Sequence, residues 1–340
     1  MMEDKKNGRT LLSVSGIKTW FYMPKSIFSR YSEPIRAVDG VSLDIKKGET
    51  LGLVGESGCG KTTLGRTILG LEKPVSGTIW FSGQKIAGHD VRLSSKKRKK
   101  LRQKIQVVFQ DPLSSLNPRM NIMDIVTEGL IEFKMIGKKE KQDAAARLMT
   151  TVGLDRNSLY RFPHEFSGGQ RQRINIARAI SVEPELIVCD EAVSALDVSV
   201  QAQILNLFSD LKEKFSLSYL FISHDLSVVS NIADRLAVMY LGKIVEIGNC
   251  TDVIFNPLHP YTRALIDAVP QAGAGKRTRR VLSGDVPSGR RSLKGCNFYP
   301  RCPDAMPVCR EIEPHAGIAG NDAEHRVSCH LYECNRFQSK

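Results

Sequence analysis

Short apolar runs punctuated by glycine set the rhythm of this chain. Leu51–Val54 is an apolar strand running into a Gly-rich turn, and Lys61–Leu69 behind it has the spacing of a helix. Thr78–Phe81 and Ile105–Phe109 read as further strands, whereas Asn121–Phe133 and Lys139–Val152 carry helical periodicity. A helical insertion, from about Asp111 to Glu165, therefore interrupts the strands. Beyond it the pattern predicts a helix over Gly168–Ile180, a buried strand over Leu186–Cys189, an amphipathic helix over Val200–Phe215 and a buried strand over Tyr219–Ser223. Such alternation implies an α/β fold with a parallel sheet covered by helices. A hairpin-like stretch, Leu236–Ile247 with Gly242 at its turn, and a helix over Pro260–Ala268 close this region.

Composition then shifts. Residues 270–291 are rich in Gly, Pro, Ser and Arg, the mark of a linker or irregular connection, so the expected division is a domain over 1–266 and a small, irregular, Cys-rich extension over 267–340. With 41% hydrophobic residues in 340, the chain can bury a substantial core. Its longest apolar runs fall far short of the roughly 18 residues a membrane helix needs. The opening MMEDKKNGRT lacks the apolar stretch of a secretory signal, so a cytoplasmic location is expected, with eight cysteines that form no structural disulfides. A net charge of +13 admits nucleic acid or an anionic membrane as partner. Its densest run, Lys96–Lys104, and the smaller clusters Lys276–Arg280 and Arg290–Lys294 have no interleaved aromatic residues for base stacking, so a solvated basic face is expected.

Candidate chemistry begins after the first apolar strand. Gly55, Glu56, Ser57, Gly58, Cys59, Gly60, Lys61 and Thr62, GESGCGKT, followed by Thr63, match the P-loop pattern between a strand and a helix. Glycines let successive N–H groups turn toward phosphate oxygens, the helix N-terminus adds a favourable dipole, Lys61 reaches the terminal phosphates and Thr62 can ligate magnesium. LIVCDE, Leu186–Glu191, delivers two carboxylates to the C-terminal end of a buried strand, where open sheets bind ligands. Asp190 would hold magnesium and Glu191 would polarise the attacking water.

SGGQRQR (Ser167–Arg173) lies between these motifs, and SALD (Ser194–Asp197) and ISHD (Ile222–Asp225) follow them. In this order they resemble the nucleotide-binding subunits of ATP-binding cassette (ABC) proteins, over about Leu11–Ile266. The resemblance implies a P-loop NTPase domain with a parallel-sheet core, an antiparallel β subdomain and a helical subdomain, which uses ATP and magnesium. It implies that Ser167, Gly168, Gly169 and Gln170 are the family signature, closing over ATP held by a second subunit. Likewise Gln110 in VFQDP would sense magnesium and water, His224 would contact the γ-phosphate, and Asp197 would link the subunits. Phe21 is the expected adenine-stacking aromatic, with Trp20 and Tyr22 as rivals. FSGGQ has Phe166 where leucine is commoner, and Ala192 stands where proline often follows the catalytic glutamate.

Asn256–Pro270 (NPLHPYTRALIDAVP), Gly295–Cys309 (GCNFYPRCPDAMPVC) and His325–Leu331 (HRVSCHL) resemble the dipeptide and oligopeptide branch of bacterial importers, in particular its second ATPase subunit. That implies a heterodimer with another ABC ATPase, two transmembrane permease subunits, an extracytoplasmic solute-binding protein reached indirectly, and no nucleic acid. The expected place is peripheral, on the cytoplasmic face of the inner membrane. An importer for nickel or another small solute, and a soluble ABC ATPase acting on nucleic acid or the ribosome, are the alternatives. Cys296, Cys302, Cys309 and Cys329, with five, six and nineteen residues between them, lack the usual zinc or ferredoxin spacing. Four thiols in a tail with little core of its own still favour a metal staple. The resemblance implies a 4Fe-4S cluster, with zinc as the alternative. Cys334 is spare, and Cys59 and Cys189 are packing residues.

Overall fold

The strands range from apolar runs buried throughout, such as Thr50–Val54, to half-exposed segments such as Gln84–Gly88. In the computed structural model, which describes residues 10–22, 34–88, 90–268, 294–318 and 324–333, these are β1 (Thr10–Phe21), β2 (Ile35–Lys46), β3 (Thr50–Val54), β4 (Ser76–Phe81), β5 (Gln84–Gly88), β6 (Ile105–Val108), β7 (Leu186–Asp190), β8 (Ser218–Ser223), β9 (Arg235–Tyr240), β10 (Lys243–Asn249), β11 (Ala316–Ile318) and β12 (Arg326–Ser328). The α-helices between Lys61 and Ala268 are α1 (Lys61–Ile68), α2 (Ser95–Lys104), α3 (Pro112–Ser115), α4 (Ile122–Glu132), α5 (Lys141–Thr151), α6 (Gly168–Ile180), α7 (Val198–Phe215), α8 (Leu226–Ser230), α9 (Cys250–Phe255) and α10 (Pro260–Ala268). Two units interleave in sequence. One holds Ile45–Thr50 and Arg92–Ile222, the other Leu11–Asp44, Leu51–Val91 and the described residues from Ser223 onward.

In the first unit β6, β7 and β8 are parallel neighbours, with Val108 opposite Cys189 and Cys189 opposite Phe221. The long connection from β6 to β7 contains α3, α4, α5 and α6. Three of these helices begin at a side-chain cap: Asp111 on α3, Asn121 on α4 and Ser167 on α6, each through a side-chain oxygen that accepts a backbone N–H group. The 18-residue α7 buries Ile204, Leu205, Phe208 and Leu211, and Phe208 meets Tyr219 and Phe221 edge-on at centroid distances of 5.5 and 5.7 Å. By contrast α2, the basic run, buries none of its residues. Its lack of an apolar stripe hid it from periodicity, and its exposure is that of a solvated basic face.

The second unit contains a four-stranded sheet, β2-β1-β4-β5, in which β4 runs antiparallel to both β1 and β5, Leu12 pairing with Phe81 and Val14 with Ile79. It also contains strands in the order β11-β12-β10-β9-β3, with β3 parallel to β9 and the others antiparallel. The β9–β10 hairpin turns through Leu241 and Gly242, both at positive φ (43° and 81°), the combination that matches the strand twist. The C-terminal segment, read as irregular, adds β12 and β11 beyond β10. Three-residue strands are too short to show alternation. A buried Glu246 on β10 stitches this edge: it accepts the N–H groups of Leu258 (2.8 Å) and His259 (2.9 Å) and pairs with His325 Nε2 at 2.8 Å. No helix among the described residues is long and apolar enough to cross a membrane.

Candidate active site

The phosphate loop belongs to the second unit. β3, buried throughout, delivers the chain to Gly55, and α1 starts at Lys61. Gly55 (φ +155°) and Gly60 (φ +109°) leave no room for a side chain, since a Cβ would stand 2.1 Å from Met239 O and 2.0 Å from Ala37 O. The hairpin turn braces the loop, Gly242 N donating to Cys59 O at 2.8 Å. Lys61, only 4% exposed, donates from Nζ to Gly55 O (2.7 Å) and Glu56 O (3.0 Å). Ser57 and Gly58 are exposed, Thr62 and Thr63 half-buried, and burial pushes the Cys59 thiol above its ordinary range. With no acid in the first turn of α1, its positive end is left open to an anion.

Two side chains that sequence reasoning did not assign also hold this loop. Tyr261 Oη accepts the Glu56 N–H at 2.9 Å, and Arg301 grips the Glu56 carboxylate through both terminal nitrogens at 2.7 and 2.9 Å. Both lie in the stretches YTRAL and FYPRC, where nothing in the spacing marks a partner.

The acids belong to the first unit. Asp190 ends β7, and Glu191 turns the chain out of it with φ +50°, a left-handed conformation that stores about 1–3 kcal/mol in a residue with a Cβ. Glu191 N donates to Ile222 O at 2.9 Å, and the Ser194 amide and hydroxyl donate to Glu191 O, so the turn is tied at both sides. The parallel pairing of β6 with β7 brings Gln110 alongside, where its Nε2 donates to Glu191 Oε2 at 2.7 Å. Beneath them Cys189 is wholly buried and its thiol is held far above its ordinary range by that burial.

Signature residues open α6 as a capping box: Gln170 N donates to Ser167 Oγ (3.3 Å) and Ser167 N to Gln170 Oε1 (3.0 Å). Ser167, Gly168 and Gln170 are exposed. Gly169 lies against the start of α7, where a Cβ would reach Val200 Cγ1 at 2.5 Å. Asp197 caps α7, accepting from Ser199 Oγ (2.7 Å) and Val200 N (2.9 Å), which holds its carboxyl below the usual range. Signature and SALD segments thus adjoin.

His224 is exposed directly after β8, ahead of Asp225, which caps α8. Phe21 is 37% and Tyr22 51% exposed, and Trp20 carries the Arg36 guanidinium at 4.8 Å and Lys18 Nζ at 5.5 Å over its ring. In the tail, Cys296 N donates to Cys309 O at 2.8 Å. Burial pushes the Cys302 thiol up to about 11 and that of Cys329 up to about 12, and the charges of Cys296, Cys302 and Cys309 each add to the effect on Cys329. Among the described residues no three His, Cys, Asp or Glu side chains are arranged to hold a metal ion. Cys334 lies outside the described residues.

A family profile described as "ABC transporter" matches residues 38–194, and one described as "Oligopeptide/dipeptide transporter, C-terminal region" matches residues 245–309. The "Oligopeptide transport ATP-binding protein AppF" of Bacillus subtilis (strain 168) is 50% identical over 330 residues, 96% of this chain and 98% of that one. The chain belongs to the ABC transporter family of ATP-binding proteins. As in that family, it is an ATPase. The "Oligopeptide transport ATP-binding protein OppF" of Escherichia coli (strain K12) is 46% identical over 92% of this chain and 90% of its own. Among solved structures, cbiO1 of Clostridium perfringens, part of the ABC transporter complex cbiONQ, superposes with a TM-score of 0.62 at 26% identity, over 73% of this ABC ATPase and 92% of its own chain. The cassette MJ0796, dimeric and bound to ADP and Pi, gives 0.61 at 27% identity over 71% and 99%.

Proposed function

We propose that this ABC ATPase powers an importer for di- or oligopeptides. The observation that carries the chemistry is the Gln110–Glu191 hydrogen bond, because it fixes the direction of the carboxylate that would take the proton of the attacking water. In this reading the glycine loop and Lys61 take the phosphates of ATP. Thr62, Gln110 and Asp190 would hold magnesium, which neutralises phosphate charge when bound. Glu191 accepts a proton from the water whose oxygen attacks the γ-phosphorus; the bond to the β-phosphate oxygen breaks and ADP leaves. His224 steadies the γ-phosphate. One of Phe21 and Tyr22 stacks on adenine.

The exposed start of α6 supports a second subunit whose loop it caps, and the solved relative MJ0796 is dimeric. We assign that place to a second ABC ATPase. Two permease chains would dock on the helical insertion and receive solute from an extracytoplasmic binding protein, with this subunit peripheral on the cytoplasmic face. Peptide as the solute rests on the printed names of relatives such as AppF and on the match over residues 245–309. Co-purification from membranes tests the assembly: two permease chains and a second ATPase are expected, and peptide, rather than nickel, should stimulate hydrolysis. Recovery of ribosomes or nucleic acid in their place would defeat it.

For the extension from residue 267, the proposal is a 4Fe-4S cluster on Cys296, Cys302, Cys309 and Cys329. The electrostatic influence of Cys296, Cys302 and Cys309 on Cys329 supports a shared space. Such a cluster would cross-link a tail with little core. Anaerobically purified protein should contain iron and sulfide. Stoichiometric zinc, or neither, overturns the assignment.

A further inference from the structure

Glu56 places an acid inside a loop that receives a polyanion, where a bare carboxylate would repel the phosphates. It is not bare. The Arg301 fork binds it at 2.7 and 2.9 Å, and the two side chains are only 6% and 23% exposed, so solvent screens the pair weakly. The backbone of Glu56 is fixed too. Its N–H goes to Tyr261 Oη at 2.9 Å and its carbonyl receives Lys61 Nζ at 3.0 Å.

Arg301 reaches the loop because an aromatic anchor sets its height. Phe298, 1% exposed, packs on Tyr240 and Tyr261 at centroid distances of 5.2 and 5.5 Å, and those two rings lie 4.7 Å apart. The turn Tyr299–Arg301, closed by Arg301 N donating to Phe298 O at 3.0 Å, then leads straight from the anchor to the guanidinium. Arg301 Nη1 also lies 3.4 Å from Tyr240 Oη. An ordinary surface ion pair has neither the buried fork nor the fixed approach.

We propose that Arg301, seconded by Tyr261, is a positioning residue for the phosphate loop: by neutralising Glu56 and fixing its backbone it holds the loop in the form that accepts nucleotide phosphates. The C-terminal extension thereby sets the affinity for ATP. The inference rests on the loop being the ATP site, as proposed above. Hydrolysis of bound nucleotide is assigned to Glu191 and should keep its rate.

The test compares the intact transporter carrying the native chain with Arg301→Gln, Arg301→Lys, and the exchanged pair Glu56→Arg with Arg301→Glu. Equilibrium binding of magnesium ATP, KM, kcat and the melting temperature are read for each. Arg301→Gln should raise Kd and KM on the order of tenfold with kcat little changed. Arg301→Lys, which keeps the charge without the fork, should fall between it and the native chain. Should Arg301→Gln melt early, the exchanged pair decides: recovery of stability and affinity together supports the proposal, and recovery of stability alone overturns it. Native protein that binds no magnesium ATP overturns the loop assignment and this inference with it. Native binding that a folded Arg301→Gln leaves unchanged overturns the inference alone.

Discussion

Gln110 Nε2 lies 2.7 Å from Glu191 Oε2, although 81 residues separate them. Parallel pairing of β6 with β7 makes the meeting possible, and the left-handed backbone of Glu191 turns its side chain out of the strand. A general base needs such aim before it needs strength. Glu191→Gln should therefore retain nucleotide binding while single-turnover hydrolysis falls by about 10²–10⁴. Gln110→Ala should lower the same rate by a smaller factor, with the melting temperature nearly unchanged because Gln110 is exposed. An undiminished rate in Glu191→Gln would remove it from the role.

Lys61 is a buried cation that donates to the carbonyls of Gly55 and Glu56. Lys61→Ala removes a charged donor from the phosphates, a loss of about 1.5–3 kcal/mol or roughly 10–100-fold in affinity. It also strips a donor from two loop carbonyls, so the melting temperature should drop as well. Binding titrations with the nucleotide and a thermal melt without it separate the effects; native-like affinity in the variant would contradict the phosphate role.

Much of this site was legible because its motifs are local. Gly55–Thr62 reads as a loop from glycine spacing alone, and the strand–loop–helix around it follows from apolar continuity over Leu51–Val54. Helices α6 and α10 have the bounds the pattern predicts. What stayed hidden depends on distant partners. Arg301 and Glu56 are 245 residues apart, and no periodicity links them. The strands β1 and β2 were missed, their alternation being broken at Gly16 and Gly40, both at positive φ. The hydrogen bond from Gln110 to Glu191 joins residues that the family resemblance named separately, and only the sheet register puts them in reach.

Ser167 performs two tasks that one substitution can separate. It caps the 13-residue α6, and it is proposed to face a phosphate on the second subunit. Ser167→Ala should destabilise by about 1 kcal/mol. Ser167→Asp keeps the cap, since aspartate is an equally good N-cap residue, yet sets a negative charge against the anion. The melting temperature of Ser167→Asp should therefore match the native value while hydrolysis in the assembled transporter collapses. Normal hydrolysis in that variant would reduce the signature serine to a helix cap.

His259 gives the second unit an acid sensitivity of predictable sign. It is 1% exposed, its Nδ1 accepts the Tyr261 N–H at 3.0 Å, and burial holds its ionisation down at about 4 against an ordinary value of 6.5; nearby Glu246 opposes that shift and Arg263 adds to it. Protonation at Nδ1 would also eject the Tyr261 amide. Above pH 6.5 the ring is neutral in both folded and unfolded chains and exacts no penalty. As pH falls from 6.5 toward 4 the unfolded chain gains a proton that the folded chain refuses, so stability is lost through that window, by at most about 3 kcal/mol from this group. His259→Gln, which lacks a titrating ring, should melt lower than the native chain at pH 7.5 and show a flatter decline between pH 6.5 and 4.5. Parallel declines in the two proteins would mean that the acid lability originates in other groups.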